Sequence, residues 1–179
     1  MTQKVKFCEA KMSYQATIEK QKLSAIFDIK GDAGAVSHRI SHLGLNLPKD
    51  ANTASTSNGQ HLCWIGINHW ILLAPIDQES QLLDRLTPND PSPDCRIVHV
   101  SDAYNIFTVV GKQADEILAI ASPLDTRQTR FADGGATYTE FFGIRALVVR
   151  QSDGYIIAVE RSYADMITAY FDKISIGIS

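Results

Sequence analysis

The chain has 179 residues, 45% of them apolar, which is enough to bury a core without a disulfide scaffold. Its 17 basic and 20 acidic side chains are scattered, which argues against a surface for nucleic acid or anionic lipid. Cys8, Cys63 and Cys95 form an odd set without CxxC spacing, which is typical of reduced thiols. With no secretory pattern and no stretch of bilayer length, we expect a cytoplasmic protein without membrane contact.

The N-terminal part predicts an arm, a strand and a helix. Residues 1–20 are polar and weakly patterned, as expected of an arm that is loose or docked on a neighbour. Residues 23–30 place apolar side chains on both alternating sets, which predicts a strand buried on both faces. Asp32 is then a suitable N-cap for a helix, and Gly44 a suitable left-handed C-cap.

A polar segment, a hairpin and a second helix follow. Residues 47–60 are rich in Ser, Thr and Asn and include the turn pair Asn58-Gly59, so we expect a loop. Strands over 62–65 and 70–74 are close enough to form an antiparallel hairpin. Asp77 then opens a helix, which the prolines after it end.

The chain carries a faint internal repeat. Ile26-Phe27, then Gly31 and a helix, is echoed by Ile106-Phe107, then Gly111 and a helix. In both copies the predicted order is strand, helix, strand, strand, helix, which is the split βαβ, ferredoxin-like plan.

We therefore predict an α+β protein of two ferredoxin-like halves packed into one unit, each sheet with its helices on one face. The halves are assigned to 21–90 and 95–179, with the Pro-rich stretch 88–94 as the joint. The second half has an extra strand, because 136–142, 145–150 and 155–159 all look extended.

Candidate metal ligands are incomplete. His38 and His42 lie four residues apart on a predicted helix, but no Glu completes a zincin-like motif and both lie beside its polar stripe. His61, Cys63 and His69 lack a fourth ligand. The sequence therefore predicts no metal site.

Phosphate-binding and nucleophilic motifs are incomplete as well. The segment 31–35 follows a strand and opens a helix, but it lacks the Lys-Ser/Thr of a Walker loop. His99, Ser101 and Asp102 are close in sequence, yet neighbouring strand residues point to opposite faces, so we do not expect a triad. No catalytic or cofactor-binding residue is predicted.

Several segments together resemble the gamma subunit of heterotetrameric sarcosine oxidase, a relative of the folate-binding aminomethyltransferase fold. The resemblance spans about residues 23–171. It rests on the order and spacing of these segments: Gly31-Asp32, Pro48 with Asn52-Thr53, Trp64-Ile65-Gly66, Trp70 to Pro75, Val100-Ser101-Asp102, Gly111, Pro123-Leu124-Asp125, and Arg161 to Asp165.

The resemblance implies a small, non-catalytic subunit that binds no cofactor itself. Its partners would be the alpha, beta and delta subunits. The large subunits would bind FAD, FMN, NAD and tetrahydrofolate, oxidise sarcosine to glycine and pass the methyl carbon to tetrahydrofolate. The sequence departs from the family at Ser122, where the resemblance leads us to expect Cys.

The resemblance also implies a surface that docks on a partner. The residues considered for it are Trp64, Trp70, Pro123, Leu124, Asp125, Arg161, Tyr163, Tyr170 and Phe171. Two structural interpretations remain open: the tryptophans, on hairpin strands, also fit a core, and Asp125 also fits a turn cap bonded to a nearby arginine.

Three alternatives to this function stay open. The chain could be the gamma-type subunit of a related N-methyl amino acid dehydrogenase. It could be a stand-alone folate-binding protein or methyl transferase, which would need a carboxylate in an apolar pocket, with Glu140, Glu160 and Asp165 as candidates. It could also be a structural protein that associates with itself.

Overall fold

Ten strands and four helices build the protein in a computed structural model that describes residues 14–21, 23–87 and 93–176. In chain order they are β1 (Thr17–Lys20), β2 (Ser24–Gly31), α1 (Ala33–Ile40), β3 (Ala54–Ser57), β4 (Gln60–Gly66), β5 (His69–Pro75), α2 (Glu79–Leu86), β6 (Cys95–His99), β7 (Tyr104–Val110), α3 (Ala114–Ala121), β8 (Ala136–Phe141), β9 (Ile144–Gln151), β10 (Gly154–Glu160) and α4 (Ala164–Ile176). Short 3₁₀ turns cover Ser41–Leu43, Ile76–Gln78, Ser101–Ala103 and Arg161–Tyr163.

The strands form two five-stranded antiparallel sheets. The first has the order β3-β4-β5-β2-β6 and the second the order β1-β7-β10-β9-β8. In each sheet the first strand of the repeat lies beside the third, as in a ferredoxin-like unit. The predicted α+β class with two such halves is confirmed.

The molecule has four layers, because each sheet is buried on both faces. In β2, Phe27 packs towards α1 and α2, while Ile26 points to the second sheet, and both are at most 1% exposed. In β7, Phe107 packs towards α3 and α4, and Ile106 faces the first sheet. We call the contact layer between the two sheets the seam.

The helix cap and the turn residues predicted for the first half are confirmed. The Asp32 carboxylate caps α1 by accepting from the N–H groups of Gly34 and Ala35, at 2.8 and 3.1 Å. Gly44 ends the following 3₁₀ turn in the left-handed conformation, as predicted. Asn58 and Gly59, both at positive φ, make the turn between β3 and β4. Because β3 falls inside the segment predicted as a loop, that prediction is wrong for residues 54–57.

Each sheet takes one of its two edge strands from a segment that was expected to belong elsewhere. Residues 17–20, expected in the N-terminal arm, form β1 and pair with β7 of the second half. Residues 95–99, expected to open the second half, form β6 and pair with β2 of the first. Residues 1–13 of the expected arm, and 88–92 of the expected joint, lie outside the described residues.

The repeated glycines explain this arrangement. A Cβ on Gly31 would lie 2.8 Å from Cys95 Cα, and a Cβ on Gly111 would lie 2.6 Å from the backbone oxygen of Gln15. Both glycines have positive φ, at 153° and 132°. Gly31 therefore lets the start of β6 approach the end of β2, and Gly111 lets the segment before β1 approach the end of β7.

No helix in the described part of the chain has the length and apolar character needed to cross a membrane.

Candidate functional site

A serine, a histidine and a glutamate meet at the end of β6 in a cluster that the sequence analysis did not predict. Ser101 Oγ lies 2.7 Å from His99 Nε2 and 2.8 Å from Glu79 Oε1. His99 Nε2 lies 2.7 Å from the same Glu79 oxygen. His99 and Ser101 are two residues apart, not adjacent, so they reach the same side of the chain.

The geometry of this cluster favours a structural role. In a catalytic triad the carboxylate holds one imidazole nitrogen and the serine approaches the other. Here Glu79 and Ser101 both approach Nε2 of His99. Ser101 Oγ also accepts the N–H of Ile26 at 2.9 Å, and the His99 and Ser101 hydrogen bonds lower the pKa of Glu79. The cluster thus ties the start of α2 to β2 and β6.

The two tryptophans of the family segments are mainly core residues. Trp70 is 3% exposed, packs towards the helices of the first half and donates from Nε1 to the Pro48 oxygen at 2.8 Å. Trp64 is half-buried against the same core. The Trp70 hydrogen bond therefore joins two of the segments on which the resemblance rests.

Two other family segments meet across the two halves. Asn52 and Thr53 of the first half, and Leu124 and Asp125 of the second, line one pocket of about 430 Å³, which we call the loop pocket. Backbone hydrogen bonds close its floor: the N–H of Ala136 donates to Asn52 O at 3.0 Å, and Ala54 N–H donates to Gly134 O at 2.7 Å. Pro123 precedes the pocket and is exposed.

Ser122 fixes the entry to this loop. Its hydroxyl accepts the N–H of Leu124 at 3.2 Å and lies 3.3 Å from Thr139 Oγ1. The side chain is buried, so both contacts satisfy a polar group that would otherwise be costly. Serine at this departure from the family pattern therefore has a defined local role.

Arg150 holds the other side of the loop. Its Nη1 donates to the Thr126 oxygen and, at 2.7 Å, to Tyr155 Oη. The Tyr155 hydroxyl in turn donates to Asp115, and burial raises the pKa of this phenol. Arg150 Nε lies 3.5 Å from Asp133, an ionic contact without hydrogen-bond geometry.

Asp125 caps the turn that follows it, one of the two interpretations left open. Its carboxylate accepts from the backbone N–H of Arg127 at 3.1 Å and from that guanidinium at 2.5 to 3.1 Å. The side-chain hydrogen bonds from Arg127 lower the pKa of Asp125 to about 2.

Arg161 and Tyr163 lie together in the turn before α4. Arg161 Nη1 lies 3.5 Å from Asp102, and both side chains are largely exposed. Tyr163 is 41% exposed. An exposed ion pair of this kind adds little to stability, so Arg161 and Tyr163 are available to contact a partner.

A third arrangement was missed by the sequence analysis. Asp28 and His69 of the first half, with Tyr104, Tyr138, Arg145 and Glu160 of the second, surround a polar pocket of about 160 Å³ with Ile65. We call it the seam pocket. No local motif signals it, because its residues come from seven strands that only the packed sheets bring together.

The remaining candidates have other partners. His38 and His42 are exposed, and the Asp32 carboxylate occupies the anion position at the N-terminus of α1. His61 Nδ1 lies 3.0 Å from Thr56 Oγ1, and burial lowers the pKa of His61. Within the described residues, no group of three metal-ligating side chains occurs.

Comparison with known proteins gives a family and a fold. Residues 30–176 match the model of the sarcosine oxidase, gamma subunit family. The structure is similar to one of heterotetrameric sarcosine oxidase from Corynebacterium sp. U-96 in complex with pyrrole 2-carboxylate, with a TM-score of 0.74, 16% identity, and coverage of 89% of this chain and 84% of that chain. It is also similar to aminomethyltransferase T of the glycine cleavage system from Bartonella henselae, with a TM-score of 0.65, 15% identity, and coverage of 88% and 45%. No curated protein matches in sequence.

Proposed function

The chain belongs to the sarcosine oxidase gamma subunit family, and from that premise we propose that it is the small, non-catalytic gamma subunit of a cytoplasmic heterotetrameric sarcosine oxidase. The observation that carries the proposal is the family match, which extends over most of the chain. The partners would be the alpha, beta and delta subunits. They would bind the FAD, FMN, NAD and tetrahydrofolate that the reaction uses, while this chain binds none of them.

The chemistry of the described residues supports a non-catalytic role. The Ser101, His99 and Glu79 cluster is built around one imidazole nitrogen and a backbone N–H, an arrangement suited to holding elements together. The Arg150 network is likewise used to fix a loop. Serine, histidine, glutamate and arginine side chains are present, but their hydrogen bonds stabilise the fold.

Exposed apolar side chains support a role in docking. Ile67, at the tip of the β4–β5 hairpin, is 89% exposed, and Tyr163 is 41% exposed. Covering apolar side chains of this size with a partner would stabilise the complex. Arg161, beside Tyr163, adds a charge that a partner carboxylate could bind.

The alternative of folate binding is supported by the likeness to the aminomethyltransferase but not by the two pockets described above. The seam pocket, which contains Glu160, is smaller than the roughly 300 to 1,000 Å³ of typical ligand sites. In the larger loop pocket, Asp125 and Asp133 already contact Arg127 and Arg150. The other two candidate carboxylates, Glu140 and Asp165, line neither of these pockets.

Co-expression tests the proposal directly. The tagged chain is produced with candidate alpha, beta and delta subunits from the same genome and purified on the tag. We expect yellow material with one copy of each subunit that forms hydrogen peroxide when sarcosine is added. A colourless chain that elutes alone would remove the subunit assignment.

Two classes of variant separate docking from catalysis. Ile67→Ser and Tyr163→Ala should lower the yield of complex without changing turnover per flavin. Ser101→Ala should destabilise the isolated chain and also leave turnover per flavin unchanged. If Ser101→Ala abolishes turnover in a fully assembled complex, the chain is catalytic and this part of the proposal is wrong.

A further inference from the structure

Two charged groups of the seam pocket are unpaired among the described residues. Neither the Arg145 guanidinium nor the Glu160 carboxylate forms an ion pair with any residue in that part of the chain. Asp28, by contrast, lies 3.0 Å from His69 Nε2 and 3.6 Å from Lys30 Nζ. Among the described residues, the pocket therefore offers one cation and one anion that lack an ion-pair partner, both on exposed side chains.

Arg145 is exposed, and its guanidinium lies over an aromatic ring. Its guanidinium carbon lies 4.2 Å from the centroid of the Tyr138 ring, and Tyr138 Oη lies 3.3 Å from Tyr104 Oη. Stacking covers one face of the guanidinium and leaves its N–H edge available for two parallel hydrogen bonds. This edge is suited to a carboxylate.

Glu160 is the matching anion. Val159 pairs with Ala146 across β9 and β10, so the next residues along the two strands are Glu160 and Arg145, on the same face. Directly paired residues of neighbouring strands have Cβ atoms about 5 Å apart. The contact with Tyr138, on the opposite side of β9, draws the guanidinium away from Glu160, and the opposite charges stay separate.

The size and charge of the pocket define its ligand. A volume of about 160 Å³ is small for a flavin, a dinucleotide or a pterin and favours a smaller ligand. Arg145 would bind a carboxylate, and Glu160 would bind an ammonium group. A small α-amino acid carries both groups, only a few atoms apart. We propose that the seam pocket binds a small zwitterionic amino acid, with its carboxylate on Arg145 and its ammonium on Glu160.

Glycine is the probe for this site, and its two halves are the controls. Glycine, acetate and methylammonium are each titrated into the full chain by calorimetry, and leucine tests the limit on size. We expect glycine to bind and the other three to bind at least about tenfold more weakly, because neither half-ligand uses both charges and the leucine side chain would crowd a pocket of about 160 Å³.

Substitutions identify the contacts. Arg145→Gln and Glu160→Gln should each weaken glycine binding by about tenfold or more, since each removes one charge-assisted contact. Glu140→Gln is the matched control, because Glu140 pairs with Arg145 across β8 and β9 but does not line the pocket. Arg145→Lys, which keeps the charge without the fork, should retain part of the affinity.

Several results would overturn the proposal. These are the absence of glycine binding at millimolar concentration, binding of acetate as tight as that of glycine, or unchanged affinity in Arg145→Gln with a native circular dichroism spectrum. Equal losses in Glu140→Gln and Glu160→Gln would also overturn it, since they would point to general surface charge. The test does not depend on subunit assembly, so its failure leaves the proposed function standing.

Discussion

Replacing Arg150 with Met should destabilise the protein more than any other single removal of an arginine charge that we consider. The Arg150 side chain is 14% exposed and donates to the Thr126 oxygen and to Tyr155 Oη. A hydrogen bond involving a charged group contributes about 1.5 to 3 kcal/mol, so losing two costs roughly 3 to 6 kcal/mol. The ionic contacts with Asp115 and Asp133, whose side chains are half exposed, add little.

Urea unfolding followed by circular dichroism measures this loss, and the melting temperature should fall by roughly 10 °C. Arg96→Met, an exposed change on β6, is the matched control and should stay within about 0.5 kcal/mol. Tyr155→Phe should cost about 1 to 2 kcal/mol, and combining it with Arg150→Met should cost less than the sum of the two. An Arg150→Met loss below about 1 kcal/mol, or strict additivity, would refute the network.

Three further predictions follow from the fold and the loop. Gly111→Ala should cost about 1 to 3 kcal/mol and speed amide exchange in β1, whereas Gly31→Ala should act on β6; Gly66→Ala, whose Cβ would meet nothing closer than 3.6 Å, is the control. The pKa of Asp125 falls from 3.8 to about 2 on folding, so its contribution to stability is present above pH 3.8 and lost as the pH falls through 2; an NMR titration should find this pKa, and Arg127→Gln should return it to its ordinary range. Unfolding followed by tryptophan fluorescence reports on the first half, which contains Trp64 and Trp70. Its free energy should equal the free energy of opening that amide exchange gives for β10, and different values would contradict coupled halves.

Patterns within one strand or helix predicted the core of the fold. Alternation in 23–30 placed Ile26 and Phe27 on opposite buried faces, and the Asp32 cap and the Asn58-Gly59 turn depend on a few adjacent residues. These features are local, because the backbone geometry of each is determined by neighbouring side chains. The order of strands and helices in the repeat followed from them.

Edge strands were harder to predict because they lack a buried face on the scale of β2. In β1 only Ile18 is an apolar residue of any size, and β3 consists of Ala, Ser and Thr. Backbone pairing with a neighbour gives such segments their strand structure, and sequence patterns do not reveal that neighbour. The same reasoning explains why 95–99 was assigned to the wrong sheet.

The candidate sites show the same difference between local features, which were predictable, and features that depend on the packing of the two halves. The sequence pointed to Leu124 and Asp125 and to Asn52 and Thr53 as separate segments, but only the packed halves show that they line one pocket. Asp125 as a turn cap was predictable, since its partner Arg127 is two residues away. The seam pocket was not, because its charges meet only through sheet packing.

The exchange of edge strands bears on how this chain can serve a larger assembly. β1 begins the described chain and pairs with β7, while β6 continues from the first half's second helix and returns to β2. The segment 17–31 thus runs from the second sheet into the first, and 95–110 runs from the first into the second. Two crossings, each anchored by strand pairing at both ends, oppose hinge motion between the halves. A subunit built this way presents the loop pocket and the turn before α4 in a fixed relation, which favours docking because little conformational freedom is lost when a partner binds.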